Sequence, residues 1–140
     1  MLLEQRHAII YGAGGGIGGG VARTFAREGA SVFLAGRTAA PMEAVAADIR
    51  AAGGSAEVAV LDATDERAVD AHVEAVAAQA GSIDVSFNLI SRGDVQRTPL
   101  VDMTTDDLLR AVVTGLRSNF VTARAAARRM TAQGSGSSST

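Results

Sequence analysis

The run YGAGGGIGGG, from Tyr11 to Gly20, limits what this chain can become more than any other segment. It lies between a β-branched stretch, residues 7–11, and a segment in which Ile17, Val21 and Phe25 recur at helical spacing. A glycine-rich turn from strand into helix lets the backbone approach a bound group closely. The free N–H groups at the helix N-terminus then attract negative charge. Two glycine registers can be read. GxGxxG is met only at Gly14, Gly16 and Gly19, two residues past the turn itself, whereas GxxxGxG puts Gly12 directly after the strand, followed by Gly16 and Gly18. The second spacing suits the strand-to-helix context, and it predicts a pyrophosphate cradle.

The remaining pattern alternates short apolar runs with longer Ala-rich stretches, as a βαβ series does. Strands are expected at residues 7–11, 31–35, 57–61 and 83–88. The first helix should run from about Gly16 to Glu28, with Ile17, Val21 and Phe25 inward and Gly29 as its stop. A second starts near Pro41, turns Met42, Val45 and Ile49 inward, and ends at Gly53-Gly54. A third opens at Thr64 with Asp65 and Glu66, buries Val69, Val73 and Val76, and closes at Gly81. After a loop holding Arg92-Gly93-Asp94, read as a turn, a long helix starts at Thr104 with Asp107 in the capping-box position and reaches about Gln133. On it Leu109, Val113, Leu116, Phe120 and Met130 read as the packing face, and Arg110, Arg117, Arg124 and Arg128 as a solvated stripe. The GSGSSST ending reads as a disordered tail. The expectation is therefore an α/β, Rossmann-like, doubly wound parallel sheet in the order 3-2-1-4. It should be incomplete, lacking the C-terminal strands, with one domain over residues 1–133 and a Gly/Ser tail at 134–140.

Composition removes several functions. A net charge of −2 and a pI near 5.6 do not supply the basic surface that a nucleic-acid backbone demands. There is no cysteine, so disulfides and thiolate metal sites are excluded. No apolar run approaches the ~18 residues of a membrane span. The N-terminus, with Glu4 leading straight into a strand, does not resemble a signal peptide, and cytoplasm is the default expectation. All 13 basic residues are arginine, so no mechanism can draw on a lysine ammonium from this chain. His7 and His72 have no neighbours at metal-ligand spacing, and Asp106-Asp107 reads as helix-start charge.

The end of the second strand carries the cofactor reading. NAD selection asks for a carboxylate there to bond the adenosine ribose, but VFLAGRT offers Gly36 and Arg37. A guanidinium suits a 2′-phosphate through charge-assisted, bidentate hydrogen bonds, so NADP(H) is expected over NAD(H). Asp62, after the third strand, could cap the next turn or bond the adenine amino group, and position alone leaves both open.

YGAGGGIG, AGRT, LDATD, IDVSFNLIS and ARAAARRM, in this order over nearly the whole chain, resemble the N-terminal portion of a short-chain dehydrogenase/reductase. They stand for that family's TGxxxGIG, the segment after the second strand, DVTD, DxLVNNAG and the long helix. The resemblance implies pyrophosphate contacts from Gly12, Gly14, Gly15, Gly16, Ile17 and Gly18, and 2′-phosphate contacts from Arg37 with Thr38 beside it. It implies that Asp62 and Ala63 face the adenine, and that Asn88, Leu89 and Ile90 face the ribose on the nicotinamide side. It also implies a homo-oligomer formed through the long helix, residues 104–133, and the exposed sheet edge is the other surface through which copies could associate.

The departures are as informative. Tyr11 replaces the family's threonine, and Leu89, Ile90 and Ser91 replace the asparagine, alanine and glycine after Asn88. Gly115 stands where the family has a catalytic asparagine, with Asn119 four residues away and not its equivalent. Members transfer hydride between nicotinamide and a carbonyl or alcohol, using a tyrosine whose pKa a lysine lowers and a serine that orients the substrate. Tyr11 is the only tyrosine here, no lysine exists, and Ser135 and Ser137 to Ser139 are expected to precede any fifth strand. No catalytic residue and no metal ligand is assigned. The expectation is thus an NADP(H)-binding part of an oxidoreductase that does not itself turn over substrate. The alternative is a non-enzymatic nucleotide-binding or interaction module, using the fourth strand as an exposed sheet edge.

Overall fold

The computed structural model describes residues 1–139. Five parallel strands form one sheet: β1 (His7–Tyr11), β2 (Ser31–Gly36), β3 (Ser55–Val60), β4 (Val85–Asn88) and β5 (Ser137–Ser139), in the order β3-β2-β1-β4-β5. The helices are α1 (Gly16–Arg27), α2 (Ala39–Ala51), α3 (Glu66–Ala80) and α4 (Thr105–Gln133), with a short 3₁₀ turn at Leu100–Asp102. The doubly wound reading holds, and its order gains a strand.

Alternation along the strands sorts the core into two layers. Ile9, Tyr11, Phe33 and Ala35 face α3 and α4, where Val69, Val73, Val76, Val121, Ala125 and Met130 meet them. Ala8, Ile10, Val32 and Leu34 face α1 and α2, against Ala22, Met42, Val45, Ala46 and Ile49. Capping follows the expected chemistry. Asp65 accepts from Ala68 N–H at 3.1 Å, Gly81 ends α3 in the left-handed region, and Thr104 and Asp107 exchange bonds at 3.1 and 3.2 Å to start α4.

Two helix faces differ from expectation. In α1 Val21 and Phe25 pack against the core as expected, but the fully buried residues are Gly18, Gly19 and Ala22, and Ile17 is 75% exposed. In α4 the buried face is Gly115, Ser118, Val121, Thr122, Ala125, Ala126 and Met130. Leu109, Val113, Leu116 and Phe120 point to solvent instead. The buried face of α4 is built mostly of small residues, with Val121 and Met130 the larger ones, so hydrophobicity alone does not choose the face. The arginine stripe is not simply solvated either. Arg124 pairs with Glu66 and lies over the Phe120 ring, and Arg128 reaches Asp70 at 3.6 Å, which lashes α4 to α3.

The C-terminal segment is also different. Gly134 takes the left-handed cap position of α4 (φ 79°), and residues 137–139 join the sheet with Val85, Ser86 and Phe87 opposite Ser137, Ser138 and Ser139. The tail expected at 134–140 is therefore a helix cap and a strand as far as Ser139, and Thr140 lies outside the described residues. The Gln133 carboxamide steers this return. Its Oε1 accepts from Ile83 N–H and its Nε2 donates to the Ile83 carbonyl, both at 2.9 Å, as a neighbouring strand would. Ser137 N–H then donates to the Asp84 carbonyl at 2.8 Å. Consequently β4 is covered, not an exposed edge, and Ser137 to Ser139 form the fifth strand instead of preceding it.

Candidate functional site

β1 delivers the chain into the glycine turn at the C-terminal edge of the sheet, where open α/β folds bind their ligands. Gly12 has φ 80°, and a Cβ on it would lie 2.5 Å from the Leu89 carbonyl oxygen. A Cβ on Gly18 would overlap the Gly12 carbonyl, whereas one on Gly16 would meet nothing within 4 Å. The GxxxGxG register is thus the one the backbone uses: Gly12 and Gly18 for close packing, Gly16 for open space. Gly15 caps α1 without a side-chain bond, and no acid stands in its first turn, in contrast to α3 and α4. Its first N–H groups are left for an anion.

A groove of about 260 Å³ opens over this turn, lined by Gly12, Gly14, Gly15, Gly36, Arg37, Thr38, Pro41, Met42, Leu89, Ile90 and Ser91. A second cleft of about 200 Å³ continues from it between Arg37, Asp62, Ala63, Thr64, Ile90, Ser91 and Thr114. Arg37 belongs to both, and it has no ion-pair or hydrogen-bond partner among the described residues. Asp62 Oδ1 accepts from the N–H and hydroxyl of Thr64, at 2.9 and 2.7 Å. These two bonds, backbone first, hold its carboxyl below the usual range, with Arg37 adding a smaller pull. The turn-capping role left open for Asp62 is present, through one of its two oxygens.

Most of the expected residues converge here. Gly16, Ile17 and Gly18 stand beside the groove on the first turn of α1 and do not line it, with Ile17 turned to solvent. Asn88 lies behind it, 6% exposed. Sequence reasoning missed Pro41, Met42, Ser91, Thr64 and Thr114 as lining residues. Nothing in their spacing marks them, because they arrive from four different segments.

Elsewhere the chemistry is sparse. Tyr11 is fully buried, and burial, with Asp70 nearby, pushes its phenol well up. Its hydroxyl has no partner among the described residues. Gly115 packs under Arg92, whose Cδ would lie 2.6 Å from a Cβ there. Among the described residues no cluster of metal-ligating side chains occurs, and no helix is long and apolar enough to cross a membrane.

Residues 6–137 match the model of the short chain dehydrogenase family. The chain belongs to that family. Gluconate 5-dehydrogenase of Gluconobacter oxydans is similar to this short-chain dehydrogenase chain at 34% identity, over 96% of the chain and 52% of the relative. NAD+-bound xylitol dehydrogenase superposes with a TM-score of 0.90 at 29% identity, covering 99% of the chain and 53% of that structure. A metagenomic short-chain oxidoreductase in complex with NADP does so with a TM-score of 0.84 at 30% identity, covering 99% and 62%. The match spans between 21% and 54% of the length of the curated relatives. Family members with NAD+ and with NADP are both among the neighbours, in keeping with a dinucleotide-binding fold.

Proposed function

We propose that these residues are the NADP(H)-binding part of an oxidoreductase acting on a carbonyl or alcohol, and that alone they turn over no substrate. The observation that carries this reading is Arg37, an unpaired guanidinium at the end of β2 where a carboxylate would select NAD, facing both clefts. When bound, the dinucleotide supplies or accepts a hydride at its nicotinamide. The chain's own residues would hold it: the first-turn N–H groups of α1, with Gly12, Gly14 and Gly15, at the pyrophosphate, and Arg37 with Thr38 at the 2′-phosphate. Asp62 and Ala63 would border the adenine, and Asn88 to Ile90 the ribose on the nicotinamide side. The family's tyrosine–lysine pair has no counterpart among these residues, because Tyr11 is sealed in the core and no lysine is present to tune it.

Fluorescence titration tests this. NADPH should bind more tightly than NADH, and Arg37→Ala should weaken NADPH about 10–100-fold, the worth of charge-assisted hydrogen bonds, while leaving NADH unchanged. Equal affinities in the unsubstituted chain would sink the NADP assignment.

The same reading includes a homodimer through α4. Leu109, Val113, Leu116 and Phe120 are exposed at heptad spacing, and Asp106 and Arg117 beside them lack ion-pair partners among the described residues. An antiparallel pairing of two copies would bury this apolar stripe against its own equivalent. Light scattering should report a dimer that Leu116→Glu converts to monomer, and a monomer before substitution would refute the pairing.

A further inference from the structure

Asn88 ends β4 and is held on two sides. Its Oδ1 accepts from Ile90 N–H at 2.9 Å, closing a tight turn over Leu89. Its Nδ2 donates to Asn119 Oδ1 at 2.7 Å and, more weakly, to Ser118 Oγ at 3.4 Å. The Ser118 hydroxyl is itself directed to the Gly115 carbonyl at 3.3 Å, so it is free to accept. A carboxamide has two orientations differing by a half-turn. Reversing Asn88 would set its NH2 against Ile90 N–H, donor against donor, and its oxygen against the Asn119 oxygen. The Ile90 N–H, which can only donate, sets the Asn88 oxygen toward the turn, and Asn119 Oδ1 takes the opposing N–H and holds the carboxamide in that place.

That turn is a wall of the groove. Leu89 and Ile90 line it, Leu89 N–H donates to the Tyr11 carbonyl at 2.9 Å, and the Leu89 carbonyl presses on Gly12. Asn119 lines neither cleft. We propose that Asn119, from the middle of α4, is a positioning residue for the dinucleotide groove, acting through Asn88 to hold Leu89 and Ile90 where the ligand needs them. The proposal rests on the dinucleotide reading above.

The test compares Asn119→Leu and Asn119→Ala, which remove the acceptor, with Asn119→Asp, which keeps an oxygen in the same place. Two readouts are taken on the folded proteins: NADPH dissociation constant by fluorescence, and hydrogen exchange of the Ile90 amide by NMR. Loss of the acceptor should weaken NADPH about tenfold, the factor that corresponds to one neutral hydrogen bond, and should speed Ile90 exchange. Asn119→Asp should retain both values, a rescue that general loosening of α4 does not produce. Unchanged affinity in Asn119→Leu and Asn119→Ala, or equal weakening in all three variants, overturns the proposal. An unsubstituted chain that binds no NADPH fails differently: it removes the dinucleotide reading, and this proposal with it.

Discussion

Gly18 lies directly against Gly12: a side chain at 18 would overlap the Gly12 carbonyl oxygen and come within 2.9 Å of Ala13 Cα. Three residues separate Gly12 from Gly16, which has open space instead. The two helical glycines therefore separate folding from binding. Gly18→Ala should force the turn apart and lower the melting temperature by several degrees. Gly16→Ala should keep or raise it, since alanine favours a helix by about 0.5–1 kcal/mol, yet weaken NADPH by placing a methyl over the N–H cradle. Calorimetry and a titration on both variants check this, and similar behaviour of the two would refute it.

Tyr11 carries a cost the core does not recover. A buried hydroxyl without a partner forfeits about 1–3 kcal/mol of hydration. Tyr11→Phe keeps the ring and removes the oxygen, so it should leave the melting temperature unchanged or raise it by a few degrees, with nucleotide affinity intact. A clear loss of stability would show that the hydroxyl is satisfied in solution.

His72 sits half-buried between α3 and β3 in a small cavity lined by Phe33, Glu57, Val58 and Gln79, and burial lowers its pKa. The unfolded chain, with a histidine pKa of about 6.5, then binds the proton more readily than the folded one. Stability is full above that value and declines as pH falls through it toward the lower folded-state pKa. Melting temperatures from pH 8 to pH 5 should fall less steeply for His72→Gln than for the unsubstituted chain. Parallel curves would assign the pH dependence to other groups.

Gln133 should matter more than its place at a helix end suggests. Gln133→Ala leaves the buried Ile83 N–H and carbonyl without the bonds that now satisfy them, at a cost of about 2 kcal/mol. Urea unfolding should shift to a lower midpoint, and the Ser137 amide should lose protection from exchange. Retained protection at Ser137 would mean that β5 docks without the clamp.

Much of the site was legible before any tertiary structure. Gly12 with Gly18, the free Arg37 after β2 and the turn at Asp62 follow from local chemistry at fixed offsets from strands, which one-dimensional spacing records well. Asn119 was not legible. Its importance depends on a carboxamide thirty-one residues away, and spacing on α4 gives no sign of which face meets the sheet.

By itself, the sequence determined the βαβ order, the caps at Asp65 and Thr104, the glycine register, and the absence of a tyrosine–lysine pair. Each depends on residue type and near neighbours. Only the tertiary structure decided that α4 exposes Leu116 and Phe120, and that three serines add a strand beside β4. The physical reason is shared by both cases. Packing distance and unpaired backbone groups, set by elements remote in the chain, outweigh the hydrophobicity of the residues themselves.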